Sequence, residues 1–296
     1  MRKRGLGPNY LKMWTASTLS NFGDGVRLTA LPLLGAAITR DPGLVAGIAV
    51  ASRLPWLLFS LISGAIGDRV DRRLLMGWVQ LFRFAVATAL GVVAISGWNS
   101  LPLVYALAFI LGTAETLFDN AAQAIIPALV DRSRLEEANG RLYAAEIAAN
   151  EFAGPPAGGF LFTVGMGIPF LVDAATFGGA GALVLALRGR FSPAKRSAEA
   201  PAKLRQQIAE GLKWLWQHRL LRTLAAMVGV INMFTTATTS ILVLFAIQVL
   251  DLGPAGYGVL MTGFAVGSVP GSLLATRISK RIGPGRILFV CVLLIG

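Results

Sequence analysis

LVAGIAVASRLPWLLFSLISGAIGDRVDRR, Leu44 to Arg73, is the stretch on which the reading of this chain turns. From Leu44 to Ile66 the only charge is Arg53. A helix of that length rises about 35 Å, enough to cross the ~30 Å hydrocarbon core of a bilayer. It then stops at Asp68-Arg69-Val70-Asp71-Arg72-Arg73, a charged turn that lipid would not accept. Together the apolar run and the basic turn predict a transmembrane helix that ends on the face where Lys and Arg are retained.

The same alternation runs through the rest of the chain. Spans are expected at roughly 13–38, 44–66, 74–96, 101–127, 141–163, 167–187, 221–249 and 254–276, and a ninth apolar run starts at Ile287 and reaches Gly296, too short to cross as a helix. The chain is therefore read as ending inside a transmembrane segment, a truncated protein. Arg2, Lys3, Arg4 and Lys12 precede the first span, and alternate connections carry Arg69, Arg72, Arg73; Arg132, Arg134, Arg141; a cluster from Arg188 to Arg222; and Arg277, Lys280, Arg281, Arg286. The opposite connections hold only Arg40. This asymmetry predicts a multi-pass protein of the cytoplasmic membrane with its N-terminus on the cytoplasmic side.

Composition agrees with lipid as the solvent: 55% of the 296 residues are hydrophobic and 14% charged, where a soluble domain carries about 25% charged residues. The net charge of +12 sits in the turns, which reads as topology and attraction to anionic membrane lipids, with no nucleic acid partner. A single cysteine, Cys291, and a single histidine, His218, leave no disulfide framework and no metal site to build. No nucleophile, metal set or phosphate loop suggests an enzyme or a bound cofactor. A basic start followed by an overlong apolar run argues against a cleavable signal peptide.

One long connection, 188–220, divides the spans. Ser192 to Pro201 reads as a flexible linker, and Ile208, Leu212, Leu215 and Trp216 share one face of a following amphipathic helix that would lie on the membrane surface. The expected fold class is an all-α integral membrane protein: a six-helix bundle over 1–190, a cytoplasmic linker over 191–219, and over 220–296 the start of a second, incomplete bundle. A loose echo of the turn at 68–73, Thr276-Arg277-Ile278-Ser279-Lys280-Arg281 after the eighth span, suggests two parallel halves.

Two motifs carry a family resemblance. In the turn after span two, small residues at Gly64 and Gly67 would permit close helix approach, and Asp68 is able to pair with a basic residue or a helix N-terminus as a latch; by physics alone a solvated loop that only sets topology explains it as well. The pattern, with Arg69, Arg72 and Arg73, resembles the G-x-x-x-D-R-x-G-R-R loop between helices two and three of the major facilitator superfamily, with Asp71 where Gly is usual. In span five, Gly154-Pro155-Pro156-Ala157-Gly158-Gly159 predicts a kinked, tightly packed helix. It resembles the G-P-x-x-G-G antiporter motif of the superfamily's exporters. Ser20-Asn21-Phe22-Gly23-Asp24, Ile126 to Val130, Glu137-Ala138-Asn139-Gly140 and Asp173 to Phe177 extend the likeness along the chain, toward the branch of enterobactin exporters and macrolide efflux proteins. The resemblance implies a major facilitator fold of twelve helices in two bundles, a cavity lined by helices one, four, seven and ten, and rocking-type alternating access. An Arg that proton-coupled drug antiporters often carry in helix four is missing, which leaves the coupling mechanism open.

Ionisable residues inside spans mark candidate sites, because they are costly in lipid. Asp24 and Arg27 stand at i, i+3 in span one, able to pair; Glu115 and Asp119 stand at i, i+4 in span four, where mutual repulsion leaves one of them expected to hold a proton. These four are the proton-coupling candidates. A structural ion network joining Glu115 or Asp119 to Arg83 or Arg53 is the competing explanation. Glu146 and Glu151 lie in span five, and Asp173 is expected to cap span six. Asn120, Gln123, Asn232, Phe234 and Gln248 are candidates to line a substrate cavity, while the Thr-rich stripe of span seven is expected mostly to bond its own backbone. The combined expectation is an exporter of amphipathic small molecules of drug, macrolide or siderophore type, exchanging them for protons. A lysolipid flippase and a non-transporting sensor are the alternatives.

Overall fold

The computed structural model describes residues 6–67, 69–98, 100–189, 191, 213–263 and 266. Five of its helices are long and apolar enough to cross a membrane. Two of the expected span boundaries are reproduced almost to the residue: α2 is Pro42–Gly67 and α3 is Arg72–Ser96. Around them stand α1 (Pro8–Ile38), α4 (Leu101–Leu129), α5 (Leu135–Glu146), α6 (Gly154–Val164), α7 (Ile168–Leu185) and α8 (Arg219–Gln248), and residues 254–263 form a further helical run. The described residues contain no strand. Several expected features lie outside the described residues: Asp68, the linker 192–212 with most of its amphipathic helix, the end of span eight, the basic echo at 276–281 and the ninth apolar run.

Local chemistry sets the helix ends. Pro8 and Pro42 open α1 and α2, where a missing N–H costs nothing. Asp41 accepts from the N–H of Gly43 at 2.7 Å and of Leu44 at 3.2 Å, capping α2, and Gly97, at φ 77°, ends α3 in the left-handed region. The connections from α1 through α4 are short, so these four helices run antiparallel in succession.

The irregularity expected in span five takes the form of a π turn. α5 gives way at Ile147–Ala153 to a π turn before α6 resumes. Pro155 and Pro156 offer no N–H to the preceding turn, so the chain widens there, and the N–H of Gly154 reaches back to the carbonyl of Ala149, five residues away.

α3 packs on α7 and α4, α2 on α4, and α1 on α7 and α6. Two apolar clusters fill the interior. One holds Leu31, Leu34, Ile48, Leu90, Leu111, Phe170 and Phe177, joined by Val243 of α8 and by Tyr257. The other holds Tyr10, Met13, Met76, Phe118, Ile125 and Val184. Along α1 and α3 the two clusters are separated by charged positions, Asp24 and Arg27 on α1 and Arg83 on α3, and on α4 Glu115 follows Ala114 at the edge of the second cluster. Outward-facing Leu57 and Trp78, 82% and 69% exposed, present the apolar surface that lipid rather than water would cover.

Candidate functional site

Four helices deliver charge to the gap between the apolar clusters. Asp24 and Arg27, one turn apart on α1, are joined at 2.5 Å. Arg27 also reaches Glu115 of α4 at 2.6 Å, and its Nε lies 3.5 Å from Asp173 of α7. Arg83 of α3 contributes a second guanidinium, which meets Asp24 at 2.5 Å and stands 3.9 Å from Glu115. Ser20 accepts hydrogen bonds from Arg83 Nη1 and Gln80 Nε2, both at 3.0 Å. The Arg83 guanidinium lies 3.9 Å from the ring centre of Phe177, so its face is stacked while its edge is bonded. Arg83 and Asp173 are fully buried. Ion pairs taken so far from water persist only when hydrogen bonding and geometry offset their desolvation.

The expected pairing of Asp24 with Arg27 is present, and it is one edge of a larger network. Glu115 belongs to that network. Its expected neighbour Asp119, one turn on, is half-buried and makes no hydrogen bond or ion pair among the described residues, yet lies within electrostatic reach of Glu115, Asp24, Arg83 and Glu146. Arg53 is exposed and takes no part. Asp173 does not cap its helix, contrary to expectation: α7 begins at Ile168, which puts Asp173 more than a turn inside, facing α1 across Gly23. Sequence reasoning offers Arg83 only as a possible partner. Its signal is a lone Arg with Gln80 at i−3 in the middle of an apolar span.

The turn between α2 and α3 works as a clamp. Arg72 donates to the carbonyls of Gly67 at 3.2 Å and Ala124 at 2.5 Å, and Arg73 donates to those of Leu185 and Gly189. Two arginines thus tie together the ends of α2 and α7, where carbonyl groups lack helical partners, and the C-terminal part of α4. Asp71 bonds main-chain N–H groups instead. Its side chain caps α3 at the N–H of Arg73 (3.0 Å) and accepts from the N–H of Phe191 at 3.0 Å. Glycine could do neither. Arg69 is exposed, and a methyl group added at Gly64 or Gly67 would meet no described atom within 4 Å, so the close approach expected there is not made among the described residues.

The glycines of the antiporter-like motif serve two faces. A Cβ on Gly158 would lie 2.5 Å from the carbonyl of Val26, and one on Gly154 would lie 2.6 Å from the Cα of Gly25, so α6 lies backbone to backbone on α1 beside the charged cluster. Gly159 turns the other way. It faces Gly258, where an added Cβ would come 2.5 Å from the carbonyl of Pro155, so the 254–263 run docks on the opposite side of α6.

The remaining cavity candidates separate. Asn120 Nδ2 donates to the Thr116 carbonyl of its own helix at 2.9 Å, and Gln123 is exposed. On α8 the expected backbone bonding occurs at Thr239, whose hydroxyl donates to the Thr235 carbonyl at 2.8 Å. Asn232, Phe234 and Gln248 are all exposed. At about 100° per residue, Asn232 and Phe234 point about 200° apart while Gln248 falls near Phe234, so one face cannot present all three.

Comparison with known proteins agrees with this architecture. Residues 8–295 match the transmembrane secretion effector family. The multidrug efflux pump Tap of Mycobacterium tuberculosis is 30% identical over 308 aligned positions, covering 95% of this chain and 69% of that protein. An uncharacterized MFS-type transporter of Bacillus subtilis, YceJ, is 26% identical, covering 90% of this chain and 65% of its own length. Among solved structures, the nucleoside transporter NupG (D323A mutant) superposes with a TM-score of 0.68 at 12% identity, over 93% of this chain and 69% of that one. A bacterial homolog of the human lysosomal transporter Spinster superposes at 0.69 and 15% identity, over 96% and 64%. The family match over nearly the whole chain, on helices of this length and packing, identifies the protein as a membrane transporter of the major facilitator type, a member of the transmembrane secretion effector family.

Proposed function

We propose that the chain acts as a secondary active exporter, moving amphipathic small molecules of drug, macrolide or siderophore type outward across the cytoplasmic membrane in exchange for protons. Alternating access would come from rocking of a bundle formed by 1–190 against one begun by 220–296, across the linker 191–219. Asp119 carries the coupling half of this reading: a half-buried carboxylate with no ion partner among the described residues, one turn from a cluster that engages Glu115. A carboxylate so placed is free to exchange a proton or to meet a cationic group. Kinship to the Tap multidrug efflux pump supports a drug-type substrate. Arg69 and the clamp residues Arg72 and Arg73 would form the cytoplasmic latch together with Asp68.

In proteoliposomes Asp119→Asn is expected to reduce proton-driven efflux to the passive leak while substrate exchange and protein yield stay at wild-type levels. Unchanged uphill efflux in that variant would remove the coupling role.

Orientation is tested separately. Lys12, Arg72, Arg73, Arg134, Arg141 and Arg188 gather at one end of the bundle, where Lys12 Nζ donates to Ala186 at 2.7 Å and Asn9 to Arg188 at 2.8 Å, while Arg40 lies at the other end. The basic end is proposed as cytoplasmic. In a Cys291→Ser background, a cysteine replacing Arg40 is expected to react with an impermeant maleimide on intact cells, and one replacing Arg134 only after permeabilisation. The reverse labelling would invert the topology.

A lipid-transport reading has one observation in its favour. A cavity of about 450 Å³ between α2, α3 and α4 is lined by Phe59, Trp78, Phe82, Phe109, Thr113 and Leu117, residues able to receive an acyl chain from the side. Transfer of a labelled lysolipid between leaflets, at a rate lowered by Phe82→Asp, would support it over drug export.

A further inference from the structure

The charged cluster does not balance. Asp24, Glu115 and Asp173 face Arg27 and Arg83, so if every group were ionised the centre would keep one uncompensated negative charge among apolar side chains. The guanidinium edges are unevenly spent. Arg27 Nη2 is shared by Asp24 at 2.5 Å and Glu115 at 2.6 Å, and Arg83 is divided between Asp24 and Ser20. Among the described residues Asp173 receives no hydrogen bond at either carboxylate oxygen, although its side chain is fully buried. Its only ion-pair contact among the described residues is Arg27 Nε at 3.5 Å, and that nitrogen also makes no hydrogen bond. An ionised carboxylate in this position would have given up its water without gaining a donor. A neutral carboxylic acid there also lacks a hydrogen-bond partner, but burying it costs far less than burying an uncompensated charge.

The groups facing Asp173 are few. From α1 come Asp24 and Arg27; from α3, Arg83 and the uncharged Gln80; from α4, Glu115; α6 offers nothing that titrates; and on α7 itself Thr176 spends its hydroxyl on the Asp173 carbonyl at 2.7 Å. Two of the three carboxylates are held by charge-assisted bonds at 2.5–2.6 Å, the arrangement that favours the ionised form. One carries none.

We propose that Asp173 is a second proton-binding site of the transporter, occupied in the conformation described: a neutral carboxylic acid on α7 that brings the cluster to zero net charge. The site stands on charge balance and hydrogen bonding alone; only its use in transport rests on the exporter reading above.

Infrared spectroscopy of the purified chain in lipid tests it, because the C=O stretch of a protonated acid lies apart from the amide bands. At neutral pH the wild type is expected to show such a band with a component that is lost in Asp173→Asn and retained in Glu115→Gln and Asp119→Asn. A wild type without any acid band, or a band undiminished in Asp173→Asn, overturns the proposal. Should Asp173→Asn not fold, Asp173→Glu reads the same site. With ¹³C-carboxyl aspartate as label, the component shifts in the wild type and ceases to shift in Asp173→Glu; a component that still shifts there also overturns the assignment. Transport by Asp119→Asn reports on the exporter reading independently, so the two can fail separately.

Discussion

Arg83→Met is expected to leave little folded protein in the membrane, and what survives should unfold well below the wild type. Arg83 is fully buried, bonded to Asp24 and Ser20 and stacked on Phe177. Met keeps most of the aliphatic volume, so the substitution removes charge more than packing. One guanidinium, Arg27, would then serve Asp24, Glu115 and Asp173 together. Breaking one side of a buried ion pair costs about 3–5 kcal/mol, a large share of the ~5–15 kcal/mol that holds a typical domain together. Thermal unfolding in detergent measures the loss. Adding Asp24→Asn to Arg83→Met should restore part of it, because the uncompensated charge leaves with its partner; strict additivity of the two changes would show that they do not interact. Arg83→Lys should fall between, since one ammonium lacks the planar fork that serves Ser20 and Asp24 at once.

The second large effect is expected at Gly158→Leu, where the new side chain would have to enter a space already held by the Val26 backbone, 2.5 Å from its Cβ. Overpacking costs typically about 1–3 kcal/mol where side chains can yield; here the obstacle is main chain, so α6 must lift from α1 and the cost should sit at or above the upper end. The neighbouring substitution separates two roles of the motif. Gly159→Leu meets the 254–263 run at Gly258 instead of α1. It is expected to leave the thermal midpoint of the first bundle near wild type and yet to stop transport. Equal destabilisation by both would mean that the motif has only one packing face.

Hydropathy is enough to find α2, α3, α4, α7 and α8, because each is a long apolar helix bounded by charged or glycine-rich turns. Pairing at short range is legible too: Asp24 and Arg27 meet because three residues make nearly one helical turn. Rotation about the helix axis is not. α7 is apolar nearly all round, so its sequence does not say which side faces α1, and the nearness of Asp173 to the start of the span suggests a cap that the structure does not make. The place of Arg83 depends on α1, α3, α4 and α7 converging, a tertiary fact with no local pattern. Proline tells of the irregularity in span five but not its form: the lost N–H groups belong to Pro155 and Pro156, while the widening appears before them, at Ile147–Ala153, where carbonyls need new partners. Asp71 looks like a departure from a motif and is a helix cap, intelligible only once Phe191 is seen beside it.

That widened turn has an electrostatic result. Glu146 and Glu151 are five residues apart, a spacing that a regular α-helix would splay by about 140°. In the π turn five residues make one step of the hydrogen-bond ladder, which narrows that angle, and the two carboxylates are both exposed and close enough to feel each other's charge. An extra residue in a single coil thus makes a two-pronged negative post out of what would otherwise be two solitary acids on opposite sides of a rod.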